Sequence, residues 1–296
     1  MLGQGQGAQG LMDRATWLGS LALLLWSLLA LLSRAAAGLP PFQLTAMTFA
    51  VSGGLGLAWL CAVRDVGVLR LPPLAWVHGV GGLFGYHALF FAAMAWAPAA
   101  EANLLNYTWP LLVVLLAGPI LGLRLTARHI LGVSVGLCGS VLLLAGGTSF
   151  SSGALLGYFC AIGAATTWAV YSITARRMSL VPTRAVIGFC AATAMLATIA
   201  HALLEVTVVP DRRALLCVVV LGLGPVGGAF LLWDYGMKKG DPRLLGSLAY
   251  AVPVASTIIL GLAGFAPLSP VTLGAALLVV AGGWIAASAQ RARRRA

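Results

Sequence analysis

The chain has 296 residues, 60% of them hydrophobic and only 8% charged, with a formal net charge of +11 and a mean hydropathy of +0.98. A soluble domain carries roughly a quarter charged residues, and no polar stretch of ~100 residues exists to form a soluble head on a membrane anchor. The apolar residues come in runs of about twenty, long enough to cross a ~30 Å hydrocarbon core as helices, whereas an outer-membrane barrel would show short alternating segments.

In chain order, the Gly/Gln-rich start Met1–Gly10 lacks the basic-then-apolar pattern of a signal peptide, and residues 1–15 are expected to be disordered and cytoplasmic. Breaks at Pro, Gly and Arg then divide the chain into ten predicted spans. They run Thr16–Ser33, Phe42–Val63, Pro73–Trp96, Ala99–Leu121, Thr126–Ala145, Gly153–Ala175, Ala185–Leu204, Ala214–Gly236, Leu244–Ala263 and Val271–Ala289, followed by a basic tail at 290–296. The five cysteines fall inside these runs without CxxC spacing and read as small buried hydrophobes. The expected fold class is all-α integral membrane.

Alternate loops test the count. One side would hold fifteen of the 18 basic residues (Arg14, Arg64, Arg70, Arg124, Arg128, Arg176, Arg177, Arg184, Lys238, Lys239, Arg243 and the four C-terminal arginines), the other only Arg34, Arg212 and Arg213. The positive-inside rule then predicts two cytoplasmic termini in a multi-pass protein of the bacterial inner membrane. A nucleic-acid surface would need its basic residues on one folded face, so none is expected as a partner. No GxxxxGK[ST] occurs and the loops are short, so transport by this chain would not be driven directly by ATP.

The two halves match at an offset of about 143 residues. Trp26, Arg34 and Pro40 recur as Trp168, Arg176 and Pro182; Gly85 and Met94 as Gly228 and Met237; Tyr107 and Pro110 as Tyr250 and Pro253. Five spans per half is an odd number, so equivalent helices run in opposite directions. Residues 16–146 and 151–289 are therefore predicted as two inverted five-helix repeats around a central cavity near mid-membrane.

These residues resemble the drug/metabolite transporter superfamily with two EamA-type repeats, from about Leu18 to Ala287. The resemblance rests on Gly38-Leu39-Pro40-Pro41, on Asn106-Tyr107-Thr108-Trp109-Pro110 followed by Leu121-Gly122-Leu123-Arg124-Leu125-Thr126, and on Trp233-Asp234-Tyr235-Gly236-Met237-Lys238-Lys239-Gly240 with Pro253. Within the superfamily, Glu101 with Asn106–Pro110, Ala165–Tyr171, and Gly246-Ser247 with Pro253 are most similar to the bacterial aromatic amino-acid exporters. The resemblance implies a secondary exporter of small neutral amino acids, Phe, Trp and Tyr first and threonine among the others, with another amphipathic metabolite or drug as the alternative cargo. The Gly-Glu of many EamA-type repeats is replaced by Gly122-Leu123-Arg124 and by Phe265-Ala266-Pro267.

Polar side chains are costly in hydrocarbon and mark a cavity or a helix contact. On the fourth span Asn103, Asn106, Tyr107 and Pro110 share an arc of about 100°, with Trp109 at its edge. Amide and phenol groups beside an aromatic wall suit a zwitterion with an apolar side chain; the alternative is polar glue between packed helices. The sixth span offers Trp168 and Tyr171, the ninth Ser247 and Tyr250, the third Tyr86 and His87. His87 is either a titrating group or a neutral ring bonded to a neighbouring carbonyl. Asp234 has Lys238 four residues on as an ion-pair partner. Pro110 and Pro253 are expected as kinks that act as hinges. Gly132, Gly136, Gly53 and Gly54 are expected to serve close helix packing. No HExxH, GxSG or paired membrane aspartates point to an enzyme and no filter-like loop to a channel; no cofactor or metal is expected, and the chain is expected to act as a monomer with a small-molecule substrate in the lipid bilayer.

Overall fold

The structure, a computed structural model, describes residues 13–35, 38–144, 151–264 and 269–295. All regular structure among them is helical. Ten helices among the described residues are long and apolar enough to cross a membrane. Spans 1 to 10 are Arg14–Leu32, Pro41–Ala62, Pro73–Trp96, Glu101–Leu121, Ala127–Leu144, Ser152–Thr174, Thr183–Leu204, Arg212–Lys239, Pro242–Leu262 and Pro270–Ser288. Residues 1–12 lie outside the described part, but Arg14 and Ala15 are not disordered as expected. The Asp13 carboxylate accepts the Thr16 N–H at 2.8 Å and starts span 1 there. The last helix continues to Arg295, through most of the expected tail.

Starts of spans carry Pro in the first turn (Pro41, Pro73, Pro242), where its missing N–H breaks no helical bond. Asp211 and Asp241 cap spans 8 and 9 by accepting the backbone N–H groups of Ala214 and Arg243. Span 2 is capped from the other half of the chain. The Glu205 carboxylate, at the end of span 7, accepts the N–H of Phe42 at 2.9 Å and of Gln43 at 3.0 Å.

The main packing pairs are span 1 with 8, 3 with 6, 2 with 7 and 5 with 10. Each pair joins the two halves, and exchanging the halves maps this set of pairs onto itself, an arrangement that fits an inverted repeat. Small residues allow the close approaches. A Cβ on Gly53 would lie 2.6 Å from the Ala191 nitrogen of span 7, and one on Gly132 would lie 2.7 Å from the Ala286 nitrogen of span 10. Gly136 similarly faces the Tyr250 ring, whereas Gly54 faces open space and has no packing role. Cys190 and Cys217 are buried, but Cys61 and Cys138 are exposed on the outer surface of their helices, which corrects the expectation for those two.

Spans 1, 4, 8 and 9 are each interrupted along their length, span 1 at Leu28 between Arg14–Ser27 and Leu29–Ala35. Span 4 breaks at Tyr107-Thr108 between Ala99–Asn106 and Trp109–Leu121, and span 9 breaks at Tyr250 between Pro242–Ala249 and Ala251–Leu262. Pro110 and Pro253 sit just beyond these breaks. Span 8 widens into a π-helical turn at Gly222–Gly228, with Pro225 inside it.

Candidate functional site

A cavity of about 430 Å³ lies between the halves, within the ~300–1,000 Å³ of small-molecule sites. Its lining comes mainly from the parts of the spans nearest the connections at 38–40, 97–98 and 205–211, the end of the bundle opposite the first and last described residues. Trp26, Trp109, Trp168 and Phe230 form its inner surface. The Trp26 ring centroid is 5.5 Å from that of Trp168, 6.4 Å from Trp109 and 6.1 Å from Phe230. Trp233 packs behind them, 5.1 Å from Trp26. These edge-on and tilted contacts are the ones the ring quadrupoles favour. The Trp26 indole is fixed further by donating to the Pro225 carbonyl, inside the wide turn of span 8, at 2.9 Å.

The side walls combine apolar and uncharged polar groups. Span 2 contributes Leu44, Thr45, Thr48 and Phe49; span 3 contributes Tyr86, His87, Phe90 and Phe91; span 4 contributes Asn103, Asn106 and Tyr107; span 9 contributes Val252 and Ser256. The Thr45 and Thr48 hydroxyls donate to the carbonyls of Pro41 and Leu44, each at 2.9 Å, which leaves their oxygens as acceptors. The Asn106 amide donates to the Tyr86 hydroxyl at 3.2 Å. The break at Tyr107 ends the first helix of span 4 beside the cavity and so brings Asn106 and Tyr107 to its wall together with Trp109. Among the described residues, no Asp, Glu, Lys or Arg lines the cavity.

The other end of the bundle is tied together by charged groups. Asp234 and Lys238 form an ion pair at 2.8 Å, their side chains 4% and 5% exposed. Thr183 donates to the same Asp234 oxygen at 2.6 Å, and Lys238 donates to the Val181 carbonyl at 2.8 Å. Several contacts at this end join the halves directly, among them the ion pair of Arg184 with Asp65. Arg243 donates to the Arg124 carbonyl at 2.8 Å, Arg177 donates to the Ile120 carbonyl, and the Asp241 N–H donates to the Thr16 hydroxyl at 2.8 Å.

Seven of the residues singled out from sequence line the cavity: Tyr86, His87, Asn103, Asn106, Tyr107, Trp109 and Trp168. Three do not. Tyr171 is turned to the interface of spans 3 and 6, where Gly82 makes room for it; a Cβ on Gly82 would lie 2.3 Å from the Tyr171 ring. Ser247 is 1% exposed and donates to the Arg243 carbonyl at 3.0 Å, because Gly246 packs span 9 tightly against span 4. Tyr250 is fully buried in a separate apolar cluster with Val114, Val133, Val254, Ala275 and Val279. Its repeat equivalent Tyr107 does face the cavity, so the two halves present different faces to it. Trp26 was missed as a wall residue although its repeat equivalent Trp168 was chosen, and the repeat was the signal that could have found it. Phe49, Phe90, Phe91 and Phe230 carry no such signal, since a phenylalanine facing a cavity reads like one facing a core.

A model of the EamA-like transporter family matches residues 14–145 and 155–288. The aromatic amino acid exporter YddG of Ancylobacter novellus is 50% identical over 277 residues, covering 92% of this chain and 96% of that protein. The aromatic amino acid exporter YddG of Salmonella typhimurium is 25% identical over 300 residues, covering 95% and 99%. A solved crystal structure superposes with a TM-score of 0.89 at 48% identity, covering 93% of this chain and 97% of its own.

Proposed function

Because this chain belongs to the EamA-like transporter family, we propose that it exports aromatic amino acids, with threonine among smaller neutral cargoes, by alternating access around the cavity between its halves. The observation that carries the reading is the composition of the cavity wall. Aromatic faces from Trp26, Trp109, Trp168, Phe49 and Phe230 make a slot for an apolar ring, and Asn103, Asn106, Tyr86, Tyr107, His87 and Ser256 supply hydrogen-bonding groups without net charge. A zwitterion needs both and adds no net charge to a low-dielectric site, whereas an unpaired ion there would meet a large desolvation cost. The names of the two relatives support the same substrate class.

The distribution of the basic residues supports two cytoplasmic termini by the positive-inside rule. The cavity then lies toward the outside and the charged contacts around Asp234 and Arg243 close the inside. Pro110 and Pro253, just beyond the breaks in spans 4 and 9, are the proposed pivots: a broken helix can bend there without losing a further hydrogen bond. The test is flux of labelled L-phenylalanine and L-tryptophan in proteoliposomes of the full chain. Wild-type protein should move both and Trp168→Ala should lose most of this. Movement of neither amino acid would refute the substrate class.

A further inference from the structure

His87 stands on the cavity wall with its two ring nitrogens in different roles. Nδ1 lies 2.7 Å from the Leu83 carbonyl, one turn back along span 3. A carbonyl can only accept, so Nδ1 carries the hydrogen, and Nε2 of the neutral ring is an acceptor. No protein group among the described residues bonds Nε2. The ring cannot easily turn away: it is held edge-on against Phe49 at 5.2 Å and Tyr86 at 5.1 Å, with Phe91 at 6.1 Å. Across the cavity, span 2 presents threonines and Phe49, span 4 Asn103, Asn106, Tyr107 and Trp109, span 6 Trp168, span 8 Phe230, and span 9 Val252 and Ser256. The tyrosines are the only other titratable side chains in this set, and phenols stay neutral through the physiological range.

We propose that His87 Nε2 receives the ammonium group of the substrate, and that protonation of this one ring reverses the polarity of the site. The proposal rests on the reading of the cavity as an amino-acid site. With a neutral imidazole, Nε2 accepts an ammonium N–H. With a proton on Nε2, the ring becomes a cationic donor that repels an ammonium and attracts a carboxylate. A free aromatic amino acid remains a zwitterion from pH 5.5 to 8, so any change over that range comes from the protein. For a cavity facing outward, acid outside would then loosen the hold on an exported amino acid and hinder its return.

The test is equilibrium binding to the full chain in lipid nanodiscs at pH 8 and pH 5.5, with labelled L-phenylalanine and with 3-phenylpropionate, which lacks the amine. An ordinary imidazole pKa of about 6.5 sets the ceiling: phenylalanine should bind more weakly at pH 5.5, by up to about tenfold, while 3-phenylpropionate binds more tightly there. His87→Gln keeps an acceptor oxygen but cannot titrate, so it should hold phenylalanine equally at both pH values. Equal binding of phenylalanine by wild-type protein at the two pH values would overturn the proposal without any variant. So would an unchanged pH response in His87→Gln. If no aromatic amino acid binds or moves at either pH, the underlying reading of the cavity fails, and this inference with it.

Discussion

The buried Asp234–Lys238 pair should behave as one energetic unit. At 2.8 Å the gross attraction is about 6 kcal/mol for an effective dielectric constant near 20. Desolvation of each ion costs several kcal/mol, so the pair itself is near neutral in net terms. Removing one partner is different, because the other stays buried without its counter-charge. Lys238→Met leaves Asp234 with only the Thr183 hydroxyl, and Asp234→Leu leaves Lys238 with only the Val181 carbonyl. Each single change should cost about 3–5 kcal/mol, and the double change should recover to within about 1 kcal/mol of wild type. A thiol-reactive dye follows unfolding, since Cys190 and Cys217 are buried and label as the helices separate, over a background from exposed Cys61 and Cys138. The single variants should melt on the order of 10 °C lower. A double variant no more stable than Lys238→Met would refute the reasoning.

Three further outcomes are expected. Gly53→Ala should cost about 1–3 kcal/mol through overpacking, since its Cβ would meet the Ala191 backbone at 2.6 Å, while Gly54→Ala, with nothing within 4 Å, should be neutral or slightly stabilising in the same dye assay. Glu205→Ala removes the cross-half cap on span 2 and should cost about 1–2 kcal/mol, with Glu205→Gln milder because one acceptor oxygen remains. In proteoliposomes, Trp168→Ala should lower phenylalanine flux more than roughly tenfold, because a ring of its size buries ~150–250 Å². Tyr171→Phe, away from the cavity, should leave flux within about twofold of wild type; an equal loss in both would show that the wall is wrongly drawn.

The ten spans were legible in the sequence because crossing a hydrocarbon core is a local requirement. About twenty consecutive apolar residues satisfy it, and Pro, Gly or Arg ends it, whatever the neighbours do. The polar stripe of span 4 was legible for a related reason: Asn103, Asn106 and Tyr107 are costly in lipid, so they must face something else. That reasoning could not say what they face. It grouped Tyr171, Ser247 and Tyr250 with the cavity, when glycine-lined slots at Gly82, Gly246 and Gly136 draw all three into helix interfaces instead.

Lipid, core and substrate slot are all apolar surroundings, so a tryptophan or phenylalanine carries no local mark of which one it meets. The tertiary packing alone decided that Phe49 and Phe230 face the cavity beside Trp26, Trp109 and Trp168, and that Trp233 stands behind them. It also decided where the charges left in the chain would close one end, by bringing Asp234 and Lys238 against Thr183 and Val181 and Arg243 against Arg124. Hydropathy along one helix determines where the chain crosses the membrane. Which face of that helix meets lipid, protein or cargo depends on the helices beside it, and those are set by contacts up to 225 residues apart in the chain.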